Sequence, residues 1–137
     1  MMNEPVSSIM STDLITLSPD DTLSTVAQTF REKRIHHLPV VDNGNLVGLI
    51  TTYDLFKMGK AAEDYANVKV SEIMTTKLAK LEPGSKVGTA AEIFLENLFH
   101  ALPIVDGEKL VGIVTTFDVL RYGFRKEYPA SEHNALK

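Results

Sequence analysis

The apolar positions of the chain alternate between two periods. Leu14-Ile15-Thr16-Leu17 is a short β-prone run closed by Ser18-Pro19. After Asp20-Asp21-Thr22, apolar residues fall at Leu23, Val26, Ala27 and Phe30. That i, i+3, i+4, i+7 spacing predicts an amphipathic helix. Leu38-Pro39-Val40-Val41 then reads as a strand, with Pro39 suited to its start or edge because it lacks an N–H. Asn43-Gly44 is a two-residue hairpin signal, since both positions tolerate positive φ. The return strand, Leu46 to Ile50, is almost continuously apolar, which predicts cover on both faces. Thr51-Thr52-Tyr53-Asp54 opens a second helix, and Lys60 to Asn67 is expected to finish it and link onward.

The same order then recurs. With a constant offset of 64 and no gap, residues 6–56 align with 70–120, and 23 of these 51 positions are identical. Val6-Ser7 meets Val70-Ser71, Ile9-Met10 meets Ile73-Met74, and the helical set Val87, Ala90, Ala91 and Phe94 repeats the first. Chance would give about one identity in fifteen to twenty, so the chain is an internal duplication. Each copy reads as strand, helix, strand, strand, helix. One copy of about 60 residues is marginal alone, so the two are expected to pack sheet on sheet around one core. The expected division is 1–66 for the first repeat with its linker and 67–125 for the second. Residues 126–137, polar and aperiodic from Glu127, are expected to be a flexible tail.

Composition narrows the chemistry. The 137 residues include no Cys and no Trp, so disulfides, Cys-based zinc sites and thiol nucleophiles are excluded. The net charge of −4 disfavours nucleic acid as a partner. No apolar run reaches membrane-spanning length. The opening Met1-Met2-Asn3-Glu4-Pro5 has neither a charged nor an apolar signal region, so a cytoplasmic location is expected. His36 and His37 are adjacent and therefore on different faces, with no carboxylate four residues on, so no metal is expected. Neither a nucleophile elbow nor a phosphate loop of the G-x-x-x-x-G-K-[ST] type occurs. Nothing argues for an enzyme, and no cofactor is required.

What does recur is Gly48-Leu49-Ile50-Thr51-Thr52-Tyr53-Asp54 and Gly112-Ile113-Val114-Thr115-Thr116-Phe117-Asp118. In each, a strand ends in a hydroxyl residue and turns into a helix, whose free N–H groups attract an anion. A carboxylate three residues later can accept from two vicinal hydroxyls, as on a ribose. Thr-x-x-Asp is equally a variant capping box that holds the helix start and binds nothing. The two readings coexist, because a cap can change partners when a ligand arrives.

With Val6-Ser7-Ser8-Ile9-Met10 and Ile35-His36-His37-Leu38-Pro39-Val40-Val41-Asp42, and with the equivalents 70–74 and 99–106, this pattern resembles the cystathionine β-synthase (CBS) domain. Two such domains in tandem form a Bateman module. The resemblance covers about residues 6 to 122. It implies an α+β fold of two pseudo-twofold-related β-α-β-β-α repeats packed sheet to sheet as one module. It also implies a cleft that takes an adenosyl ligand: AMP, ADP, ATP or S-adenosylmethionine. By that resemblance Asp54 and Asp118 hold ribose hydroxyls, and Thr51 and Thr115 contact phosphate. Ile15, Thr16, His37 and Leu38 line the base, largely through backbone, as do Ala79, Lys80, Ala101 and Leu102, and Pro39 and Pro103 complete the ligand-binding set. His36 and His100 match a phosphate-contacting position. The next residue is often Arg in such proteins; here it is His37 and Ala101, which weakens the phosphate grip, most of all in the second copy.

Lys57 and Arg121, one turn past each Asp, are further candidate phosphate-side cations, although a plain surface role is the more ordinary one for them. With Lys33 and Arg34 beside it, the first copy is expected to suit phosphates better than the second. The expectation is a regulatory homodimer that senses an adenosyl small molecule and acts in trans on another protein. The alternative is a ligand-free dimerisation scaffold whose two corners serve only as helix caps.

Overall fold

Asn43 and Gly44 turn the first hairpin with φ of 53° and 83°, the left-handed values such a turn demands and these residues tolerate. They join β1 (His37–Asp42) to β2 (Asn45–Thr51), antiparallel, with His37 opposite Thr51 and Leu38 opposite Ile50. The second repeat builds the same hairpin from β3 (Ala101–Asp106) and β4 (Lys109–Thr115), with Gly107 at φ 65°. These coordinates come from a computed structural model, which describes residues 2–59, 62–97 and 99–128.

Helices flank the hairpins in the expected order. α1 (Leu23–Lys33) buries Leu23, Val26 and Phe30, three of the four residues its spacing selects. α2 (Thr52–Met58) follows β2 without a break, and α3 (Val70–Ile73) is a single turn. α4 (Val87–Asn97) buries Val87, Ala90 and Phe94, and α5 (Thr116–Glu127) follows β4 directly. Among the described residues no helix is long and apolar enough to cross a membrane.

Three expected elements change. The first strand of each repeat shrinks to one parallel bridge, Leu17 to Val40 and Leu81 to Ile104. Leu17 N–H donates to Pro39 O at 2.9 Å and Val41 N–H to Leu17 O at 2.8 Å. The ladder's next donor toward Ile15 would be the nitrogen of Pro39, which has no hydrogen, so pairing stops. Pro103 ends the second ladder in the same way. The helix opened at Thr52 stops at Met58, because Gly59 takes a left-handed φ of 63° as its C-cap. The rest of the expected continuation is a separate 3-10 segment, Ala62–Asn67, with Lys60 and Ala61 outside the described residues. α5 runs through Lys126 and Glu127, two residues into the expected tail, and 129–137 lie outside the described residues.

Contacts divide the chain into two compact units. One comprises residues 15–79 and 108–110, cored by Leu17, Leu23, Val26, Phe30, Leu38, Val40, Ile50 and Val70. Each such side chain contributes about 1.5–3 kcal/mol on burial. The other comprises the described residues of 1–14, 80–107 and 111–137, with Val6, Val87, Leu102, Ile104 and Val114 fully buried. The repeat period and the compact units thus cut the chain at different places. The segment around Val6–Met10 opens the first repeat in sequence yet packs with the second repeat's hairpin. Val70–Met74 packs with the first. Ser11 and Ile113 exchange backbone hydrogen bonds of 2.9 and 3.0 Å, and Thr75 and Leu49 do the same at 2.9 and 3.0 Å.

Candidate functional site

The end of each return strand makes a polar corner. Thr51 is the N-cap of α2, with extended φ and ψ of −119° and 164°. Its hydroxyl accepts from Asp54 N–H at 3.2 Å, and its own N–H donates to Asp54 Oδ2 at 2.8 Å. Thr115 and Asp118 repeat both bonds at the start of α5, again at 3.2 and 2.8 Å. Both capping boxes are complete, so each Asp uses one oxygen to hold its own helix. The other oxygen faces elsewhere, and here the repeats part. Asp54 Oδ1 stands 4.0 Å from Lys57 Nζ, an ion pair too long to be a hydrogen bond. Asp118 Oδ1 accepts from Arg121 at 3.0 Å, and among the described residues Asp118 is the one charged side chain that is buried.

The His positions reach these corners through the main chain. Thr52 N–H donates to His36 O at 2.9 Å, and Thr116 N–H to His100 O at 3.0 Å. His37 sits opposite Thr51 in the ladder. The structure therefore gathers His36, His37, Thr51, Asp54 and Lys57 at one corner. It gathers His100, Thr115, Asp118 and Arg121 at the other, with Ala101 beginning β3 beside His100. Leu38, Pro39 and Leu102 are fully buried and Pro103 is buried, so only their backbone can meet a ligand. Thr16 and Lys80 are exposed, and Ile15 keeps 40% of its surface. Lys57 and Arg121 also lie over aromatic rings, at 5.2 Å from Tyr53 and 5.1 Å from Phe117.

The glycine that opens each motif has a packing reason. A Cβ on Gly48 would lie 2.8 Å from Met74 Cγ, and one on Gly112 would lie 2.8 Å from Met10 Cγ. The Met of each lead-in thus packs against the other repeat's return strand, a pairing that the constant offset does not reveal. Sequence reasoning also passed over Tyr122, Arg125 and Lys126, which share a face of α5 with Arg121. The readable signal was the offset of 64 carried just past the aligned stretch, where their counterparts Met58, Ala61 and Ala62 are all uncharged.

Residues 6–60 and 70–125 each match the CBS domain. The chain belongs to the CBS-domain family. Uncharacterized protein MJ1225 of Methanocaldococcus jannaschii is 34% identical over 134 residues, 88% of this chain and 47% of that protein. Its crystal structure superposes with a TM-score of 0.82, covering 48% of that chain. The CBS domain pair of MJ0100, solved with 5-methylthioadenosine and S-adenosyl-L-methionine, is 31% identical, with a TM-score of 0.76 over 89% of this chain and 97% of that one. CBSX2, a CBS-pair protein of Arabidopsis thaliana, gives 0.81 at 27% identity in its complex with AMP, covering 90% of this chain and 98% of that one. The chain spans about half or less of the first curated relatives it matches. It is a tandem CBS pair of mixed α+β structure.

Proposed function

We propose that this CBS pair is a sensing module, not an enzyme, and that it binds an adenosyl ligand at its threonine–aspartate corners. The observation that carries this reading is the division of labour within each aspartate. Oδ2 caps the helix, while among the described residues Oδ1 is engaged only by a cation one turn on. A ribose diol can take Oδ1 without uncapping the helix, so the capping and binding readings of the motif need not compete. The AMP and S-adenosylmethionine complexes of related CBS pairs support the ligand class.

The corners differ in what a ligand must displace. Lys57 at 4.0 Å from Asp54 is a weak surface pair. Arg121 holds Asp118 by a true charge-assisted hydrogen bond. The Asp54 corner therefore takes ribose more readily. The signal passes to a second copy or another protein through the outer faces of α2 and α5. There Tyr53 and Phe56, and their repeat counterparts Phe117 and Leu120, stay 62–82% exposed. Large apolar side chains left open in this way mark association surfaces.

A second reading, a ligand-free scaffold, draws on the completeness of both capping boxes. Thermal melts with AMP, ADP, ATP, S-adenosylmethionine and GTP separate the two. A ligand at 100 times its Kd adds about 2.7 kcal/mol, a shift of several degrees for a domain of this size. Flat melts across the panel at millimolar ligand would favour the scaffold.

A further inference from the structure

One cavity of the second-repeat unit adjoins the Asp118 corner and adds cations, Arg125 and Lys126, that the corner chemistry does not use. It has a volume of about 420 Å³ and lies between residues 8–10 and one face of α5. That size falls within the roughly 300–1,000 Å³ of small-molecule sites. The α5 face supplies Arg121, Arg125 and Lys126 together with Tyr122 and Asp118. Arg121 and Arg125 are four residues apart, hence on one side of the helix and about 6 Å apart along its axis. Asp118 neutralises Arg121, and Glu4 neutralises Lys126 at 2.8 Å. Among the described residues Arg125 makes no ion pair, so the three cations exceed the two carboxylates by one. The Tyr122 hydroxyl oxygen is sealed from solvent and, among the described residues, makes no hydrogen bond of good geometry, although Glu4 lies near it.

The duplication shows that this chemistry is not part of the common plan. At the equivalent places the first repeat has Lys57, Met58, Ala61 and Ala62, leaving one cation of three and no hydroxyl. Side chains that pack both repeats alike would not differ in this way.

We infer that the cavity between Ser8–Met10 and α5 is an anion site that takes a polyphosphate group, gripped by Arg121 and Arg125 with Lys126 beside them. Guanidinium groups fit phosphate oxygens two at a time, so an arriving phosphate competes with Asp118 for Arg121. The net charge of −4 does not oppose this, because charges beyond about 8 Å are screened at physiological salt. The inference goes beyond the adenosyl reading, since a free polyphosphate needs no ribose corner. The same phosphates can also arrive as the tail of a nucleotide. It places the stronger phosphate grip in the second repeat, where the sequence alone favoured the first.

Titration calorimetry of the full chain with sodium tripolyphosphate tests it, with ATP and adenosine as parallel arms. Tripolyphosphate is expected to bind, more weakly as salt rises. Arg125→Ala is expected to weaken it at least about fivefold, the loss of one charge-assisted contact. Arg31→Ala, which removes an equal charge from the exposed side of α1, should leave the affinity unchanged. Asp118→Ala should keep or improve tripolyphosphate binding by releasing Arg121, while an adenosyl ligand held at that corner weakens. ATP binding tighter than both tripolyphosphate and adenosine identifies the anion as a nucleotide tail. Equal affinity for ATP and tripolyphosphate identifies a free anion. No binding of tripolyphosphate at millimolar concentration overturns the inference and leaves the adenosyl reading standing. Equal binding by Arg125→Ala and the unaltered chain, or an equal loss in Arg31→Ala, also overturns it. Circular dichroism of each variant confirms its fold, and Tyr122→Phe offers a milder second probe of the same cavity.

Discussion

At the scale of single residues, the two aspartates do double duty. Removing a cap of this kind costs about 0.5–2 kcal/mol of stability, and losing a charge-assisted contact to ligand costs about 1.5–3 kcal/mol of affinity. Asp54→Ala should therefore lower the melting temperature modestly and weaken an adenosyl ligand by tenfold or more. Unchanged affinity with a lowered melting temperature would reduce Asp54 to a cap. The threonines and aspartates were legible in the sequence because helix starts have a chemical signature. The split of roles between Oδ1 and Oδ2 was not, since it depends on where Lys57 and Arg121 settle. Glu4 is a second residue-scale case. The hydrogen bond from Lys126 holds its carboxyl below the ordinary 4.5, and bonding to Glu4 holds Lys126 above 10.5. A depressed carboxyl stabilises the fold above its unfolded pKa and loses that contribution as pH falls through the folded value. The raised lysine contributes below 10.5 and fades as pH rises beyond it. Glu4→Gln should thus flatten the stability profile below about pH 4.5 and also remove the alkaline contribution of Lys126. Equal acid limbs in both proteins, followed by denaturant melts from pH 3 to 7, would contradict the contact.

At the scale of elements, the amphipathic helices and the Asn43-Gly44 hairpin were readable because their periods and turn chemistry are local. The short first strands were not, since their length depends on a missing donor at Pro39 and Pro103 across the ladder. Nor was the pairing of each Ile-Met lead-in with the other repeat's strand, because a constant sequence offset says nothing about which copy a segment packs on. That pairing predicts a coupling. Gly48→Ala should cost about 1–3 kcal/mol by forcing a Cβ into Met74. Combined with Met74→Ala it should cost clearly less than the two single changes added together, because the shortened side chain makes room. Strict additivity in urea melts of the four proteins would mean that the glycine is held by something other than that methionine.

At the scale of the whole molecule, the duplication was the strongest signal in the sequence, and the family match covers both copies. The repeats share their hydrogen-bonded corners yet differ in the cations around them, so their sites are expected to differ in affinity. Association through the outer helix faces predicts a concentration-dependent dimer in sedimentation velocity. Phe56→Glu, with 82% of the native side chain's residue surface open, should shift the equilibrium to monomer without lowering monomer stability. A monomer at all concentrations in the unaltered protein would remove the dimer from the account. The central claim is tested most directly by calorimetric titration of the adenosyl ligand that most raises the melting temperature, into the unaltered chain and into the Asp54→Ala, Asp118→Ala double variant. The account predicts saturable binding that the double variant loses by two orders of magnitude or more. Binding of equal strength in a folded double variant would contradict it.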